Sequence, residues 1–197
     1  MTGELLNDRN YIINRILEIE WKMFKNVKTA IPSPCQQNKD FFINIRRSIF
    51  ETWSEKLLRS YLNDLIEMKK TGRNPFIEKY GRMDGLLPPL KNSPLIKEIV
   101  KIEETWQKEI KEKYPTLYNT VCRDVSEPDN RGFSHYLACE LETYGDETLK
   151  LYYEHVKDAL EKGQNLAIKS LEILVKKSGF PGLKEAEEAL KKHISNS

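Results

Sequence analysis

Apolar residues recur along this chain at spacings of three and four, the period of a helix that buries one stripe, and no segment keeps the two-residue alternation of a strand. Asn7 or Asp8 is placed to cap a first helix running to about Val27, with Ile12, Ile13, Ile16, Leu17, Ile19, Met23, Phe24 and Val27 on one face. The segment TAIPSPCQQNKD follows, and its two prolines predict a loop. A helix from Asp40 to Trp53 sets Phe41, Phe42, Ile45, Ile49, Phe50 and Trp53 inward. Ser54 caps the next helix, built on Leu57, Leu58, Tyr61, Leu62, Leu65, Ile66 and Met68 and closed by Gly72. Asn74 and Pro75 open a short helix to Met83, after which GLLPPLKNSP reads as a connector.

The same order then recurs. Leu95, Ile96, Ile99, Val100, Ile102, Trp106 and Ile110 form a second long stripe, which aligns Ile12 with Leu95, Ile16 with Ile99, Ile19 with Ile102 and Glu20 with Glu103. A polar loop carries Cys122 and RDVSEPDNRG, and helices follow from Phe133 to Tyr144 and from Asp146 to Lys162. Phe42–Asn74 aligns without a gap on Phe133–Asn165, pairing Glu51 with Glu142, Thr52 with Thr143, Tyr61 with Tyr152, Gly72 with Gly163, Asn74 with Asn165 and Trp53 with Tyr144. Helices from Leu166 to about Lys177 and over LKEAEEALKKH close the chain, with HISNS expected to fray. The expectation is an all-α fold: two similar helical halves, 1–90 and 91–197, packed as one compact bundle-like domain.

Composition narrows the setting. With 197 residues, 39% apolar, 31% charged and a net charge of +2, the chain is long enough for a sizeable core and mixes both signs over its surface. Lys and Arg interleave with Asp and Glu, so no nucleic-acid partner is expected. No segment approaches the roughly 20 apolar residues of a membrane span, and no basic start and apolar run marks a leader. Cys35, Cys122 and Cys139 are too few for a disulfide framework, which with the rest predicts a cytoplasmic protein. Nothing in the sequence selects an oligomeric state.

Three carboxylates interrupt the apolar stripes. Glu20 stands four residues from both Ile16 and Phe24, Glu103 holds the matching place in the second long helix, and Glu140 lies four residues from Tyr136 and from Tyr144. Each is read either as a buried acid in a pocket or as one partner of a core ion pair, with Arg46, Arg47 and Arg82 as the candidate cations. The halves differ at Glu140, whose counterpart is Ile49. Cys35, in a loop beside a helix start, is either an activated thiolate or an unreactive thiol. Gly72-Arg73-Asn74 could be imagined as a phosphate loop but reads better as a pair of helix caps.

The residues Cys35-Gln36, Phe42, Arg46, Ser48, Phe50 and Trp53, then Ser60 to Leu65, Gly72-Arg73-Asn74, Glu78-Lys79-Tyr80 and Arg82-Met83 resemble an uncharacterised prokaryotic family, domain of unknown function 4125. Glu20-Trp21, Met23-Phe24, Tyr136-Leu137, Glu140-Leu141 and Thr143-Tyr144 extend the resemblance over most of the chain. It implies no established reaction. The chain departs from the family pattern at Gln37, Asn38 and Lys39, where acidic residues and a Trp follow Cys-Gln, and at Ile49, where the pattern has Gln.

Several known chemistries are disfavoured. None of His135, His155 and His193 has a Glu three residues before it, as a di-iron bundle requires, and there are no paired Cys or His for structural zinc. Walker and Rossmann glycine loops are missing, and His135 is expected to point away from its helix's apolar stripe, which disfavours a Ser or Cys triad. What remains is a pocket of carboxylates and aromatics between the halves, suited to a small polar or amine-bearing metabolite. Glu20, Glu140 and Tyr136 are the catalytic candidates for acid/base chemistry; Glu103, Trp21, Trp53, Arg46, Tyr144 and Cys35 are the ligand-binding candidates. Neither metal nor cofactor is called for. The alternative is a non-catalytic helical-repeat interaction module whose inward carboxylates are structural ion pairs.

Overall fold

A computed structural model describes residues 2–27, 34–122 and 132–195, with side chains from residue 8 onward except those of 34 and 35. Every regular element among the described residues is a helix. The chain runs through α1 (Thr2–Phe24), α2 (Pro34–Gln37), α3 (Lys39–Phe50), α4 (Glu55–Lys70), α5 (Pro75–Met83), α6 (Pro94–Lys113), α7 (Pro115–Val121), α8 (Phe133–Leu141), α9 (Asp146–Glu161), α10 (Leu166–Lys177) and α11 (Leu183–Ser195).

Local chemistry sets most boundaries. The Asn38 side chain caps α3, Ser54 caps α4 through Leu57 N, Asn74 caps α5 and Ser93 caps α6. Gly72 and Gly163 take positive φ (70° and 64°), which lets Arg73 N reach Met68 O at 2.8 Å and Gln164 N reach Ala159 O at 2.8 Å. Some expectations are corrected. α1 begins at Thr2, so neither Asn7 nor Asp8 caps it; Asp8 pairs instead with Arg59. A short helix starts at Pro34, since proline is tolerated in a first turn. α7 occupies part of the expected polar loop, opened by Pro115 and capped by Glu187 of α11, whose carboxylate accepts from Thr116 N (3.1 Å) and Leu117 N (2.7 Å). RDVSEPDNR lies outside the described residues.

The long helices α1 and α6 supply the buried stripes. α1 packs on α3 and α4, and α6 packs on α8 and α9; α4 lies against α9, while α5 reaches across to α8 and α10 to α3. The larger apolar core therefore draws on both parts of the chain: Ile16, Leu57, Leu58 and Leu65 meet Ile99, Leu141, Leu149 and Val156, all at most 2% exposed. A smaller core joins Ile110, Leu117, Tyr118, Leu171, Val175, Leu183 and Ala186. Two asparagines tie caps to the long helices: Asn74 Nδ2 donates to Met23 O (2.9 Å) and Asn165 Nδ2 to Trp106 O (3.2 Å).

Candidate functional site

The site begins with a carboxylate that has no route to water. Glu20 is 0% exposed because its place on α1, between Ile16 and Phe24, turns it into the packing against α3 and α4. Arg46, from α3, answers it in the two-pronged geometry that a guanidinium offers a carboxylate, with Nε to Oε2 at 2.9 Å and Nη2 to Oε1 at 2.6 Å. Tyr61 of α4 donates its hydroxyl to the same Oε1 at 2.8 Å.

Arg46 then bridges to the second carboxylate, because its Nη1 donates to Glu140 Oε1 at 2.8 Å. Lys79 of α5 donates to Glu140 Oε2 at 2.8 Å, and Tyr144 reaches Oε1 at 3.3 Å. Burial opposes charge on Glu140, yet Arg46 and Lys79 outweigh it and hold the carboxyl far below the usual range. Burial likewise opposes the charge on Arg46 and Lys79, and the carboxylates facing them keep both cations charged. The Lys79 ammonium lies over the Tyr136 ring, 3.9 Å from its centroid, and the Arg46 guanidinium lies over Phe50 at 4.9 Å. Glu20, Arg46, Glu140 and Lys79 form one continuous chain of ion pairs contributed by α1, α3, α8 and α5.

Glu103 is different. It is partly buried and bonded by the Tyr152 hydroxyl, with no cation paired to it among the described residues. Burial, with a smaller push from the charge of Glu140, raises its carboxyl to about 7, against the lowering effect of Tyr152. Burial, and then the facing carboxylate, also push Tyr61, Tyr144 and Tyr152 well above the ordinary tyrosine range, so these hydroxyls stay donors.

A cavity of about 590 Å³ lies beside this chain. Phe24 of α1, Ile45, Arg46 and Ile49 of α3, Phe76 and Lys79 of α5, Gln107 and Ile110 of α6, Phe133 and Tyr136 of α8 and Leu171 of α10 all contribute to its wall. Of the residues expected from the sequence to make a pocket, Arg46 and Tyr136 line it. Glu20, Glu103 and Glu140 are not among its lining residues; Arg46 and Lys79 are, with Glu20 and Glu140 bound to them as partners. Trp53 and Tyr144 belong to a separate aromatic cluster with Tyr61 and Tyr152, in which ring centroids lie 5.0 to 6.3 Å apart. Trp21 packs on Phe42 at 5.6 Å, at the edge of the main core. The Cys35 side chain lies outside the described residues.

Of the candidate cations, Arg46 sits in the network, Arg82 binds Glu142 at 3.0 Å, and Arg47 turns outward to Asn14. His135 does meet a thiol, Cys139 Sγ at 3.4 Å, one helical turn away. That pair is no activated nucleophile, because burial, helped by Glu142, pushes the Cys139 thiol up to about 11. Burial alone carries Cys122 up to about 12. Among the described residues no three His, Cys, Asp or Glu side chains gather to hold a metal ion, and no helix is long and apolar enough to cross a membrane.

Residues 10–188 match the model of the family described as Protein of unknown function (DUF4125). The chain belongs to this family. Every residue named in the ion-pair chain and the cavity wall lies within this matched region. No curated protein and no solved structure matches the chain.

Lys79, Tyr61 and Gln107 also belong to the site and were not among the residues expected from the sequence. The signal for Lys79 was present: it follows Phe76 by three residues and precedes Met83 by four, so on α5 it had to share their buried face.

Proposed function

We propose that this protein binds a small molecule in the cavity between its first and second parts, with the polar end of the ligand at Arg46, Lys79 and Tyr136. The observation that carries the reading is the position of two buried cations on the wall of an otherwise largely apolar cavity of about 590 Å³, within the 300–1,000 Å³ range of small-molecule pockets. An apolar enclosure with few, fixed polar groups gives a ligand affinity from its body and orientation from its head. Glu20 and Glu140 serve as anchors that hold the two cations in place. Acid/base chemistry receives less support, since both acids are tied into ion pairs.

We infer further that the two parts of the chain derive from one helical unit. Supporting this, Tyr61 binds Glu20 as Tyr152 binds Glu103, and Asn74 reaches Met23 O as Asn165 reaches Trp106 O. The alignment sets Leu137 opposite Arg46, so Glu103 keeps its tyrosine and lacks an arginine.

One observation favours the other reading, a non-catalytic interaction module: Glu20 and Glu140 are each met by a cation, as structural pairs would be. The two readings part on one experiment. Ser170→Phe places a large ring on the cavity wall without touching the ion pairs. A screen of metabolites by thermal shift should give ligands that stabilise the native protein and lose their effect in that variant. Hits that stabilise both proteins equally would overturn the cavity reading.

A further inference from the structure

Which ligand head the cavity accepts follows from which charges stand on its wall. The carboxylates of Glu20 and Glu140 are bound to Arg46 and Lys79, and only the cations belong to the lining. An amine entering the cavity would therefore meet the two residues that carry positive charge, and like charges repel. The spare hydrogen-bonding capacity is also of one kind. An ammonium has three N–H donors and a guanidinium five. Among the described residues Lys79 makes one hydrogen bond, to Glu140, and Arg46 makes three, two to Glu20 and one to Glu140. Donors are thus left over on both cations.

We propose that the cavity takes a small molecule with an apolar body and a carboxylate head, the head bound by Lys79 and Arg46 and the body lying among Phe24, Ile45, Ile49 and Leu171. This rests on the reading that the cavity is a ligand site. Glu140 is bonded to Arg46 at 2.8 Å as well as to Lys79, so it retains one cation if Lys79 turns toward the ligand, and the bound head makes three carboxylates share two cations. Charge-assisted bonds from two cations offset the head's lost hydration.

Three probes with one chain length separate the possibilities: octanoate, octylamine and octanol, titrated into the full chain by calorimetry and by NMR of the Ile45 and Ile49 methyl groups. Octanoate is expected to shift both methyl signals and to bind at least tenfold more tightly than octanol, with octylamine weakest. Lys79→Gln is expected to weaken octanoate about tenfold and leave octanol unchanged; should that variant unfold, Lys79→Arg, which keeps the charge, is expected to retain the preference. Octanol or octylamine matching octanoate at those methyl signals would overturn the carboxylate assignment while leaving the cavity as a ligand site. No shift of those signals with any probe would overturn the cavity reading and this inference together.

Discussion

Glu20 and Glu103 hold matching places on two long helices, and their different partners predict different behaviour. Removing one member of a buried ion pair leaves the other charged and desolvated, at a cost of about 3–5 kcal/mol. Glu20→Gln or Arg46→Met should therefore lower the unfolding free energy by about that much in urea titrations, and a change under 1 kcal/mol would show the pair to be dispensable. For Glu103, burial raises the folded-state carboxyl from an ordinary 4.5 to about 7. Between those values the folded protein binds more protons than the unfolded chain, so stability falls as pH rises through the window and levels off above it. Glu140 works in the opposite sense: Arg46 and Lys79 overcome its burial and hold it low, so its contribution is present above about pH 4.5 and is lost as pH falls below it. Unfolding midpoints should peak near pH 5, and Glu103→Gln should remove a decline on the order of 1–3 kcal/mol between pH 5 and pH 8. Parallel pH profiles for the two proteins would contradict the assignment.

Helix ends and helix registers are largely legible in the sequence. Asn74, Pro75 and Met83 bound α5 as the caps predict, and Leu166–Lys177 forms α10. The reason is locality: a cap or a positive-φ glycine is decided by residues within one turn of it. Asn74→Ala and Asn165→Ala should each cost about 1–2 kcal/mol, since each side chain both caps a helix and donates to a carbonyl of the preceding long helix. Thermal unfolding of the two variants measures this, and an unchanged melting temperature would show the tie to α1 or α6 to be idle. α7 is not legible in this way, because its stripe is two residues, Leu117 and Tyr118, and its N-terminal amides are satisfied by Glu187, seventy positions away.

The two cores divide the molecule unequally. α11 packs on α7 and α10 around the smaller core, whereas α1, α4, α6 and α9 share the larger one. Amides of α11 should exchange with solvent at a lower opening free energy than those of α4 and α9, as a small, peripheral unit does. Glu187→Ala should widen that gap by freeing Thr116 N and Leu117 N. Hydrogen exchange followed by mass spectrometry would show it, and uniform protection through α11 and α4 would refute the division.

The periodicity of apolar residues determined that this chain is helical, where most helices begin and end, and that Glu20, Glu103 and Glu140 face inward, because each of these depends on neighbours within a few positions. It could not determine what the three acids meet. Arg46 holds Glu20 and also reaches Glu140, ninety-four positions further along the chain, and Lys79 arrives from a helix that crosses to α8. A pattern along the chain specifies the direction of a side chain from its helix, while its partner is set by how separate helices pack. Tertiary packing therefore decided that cations stand on the cavity wall with the carboxylates bound behind them, and that Glu103 alone of the three keeps a carboxyl with no cation beside it among the described residues.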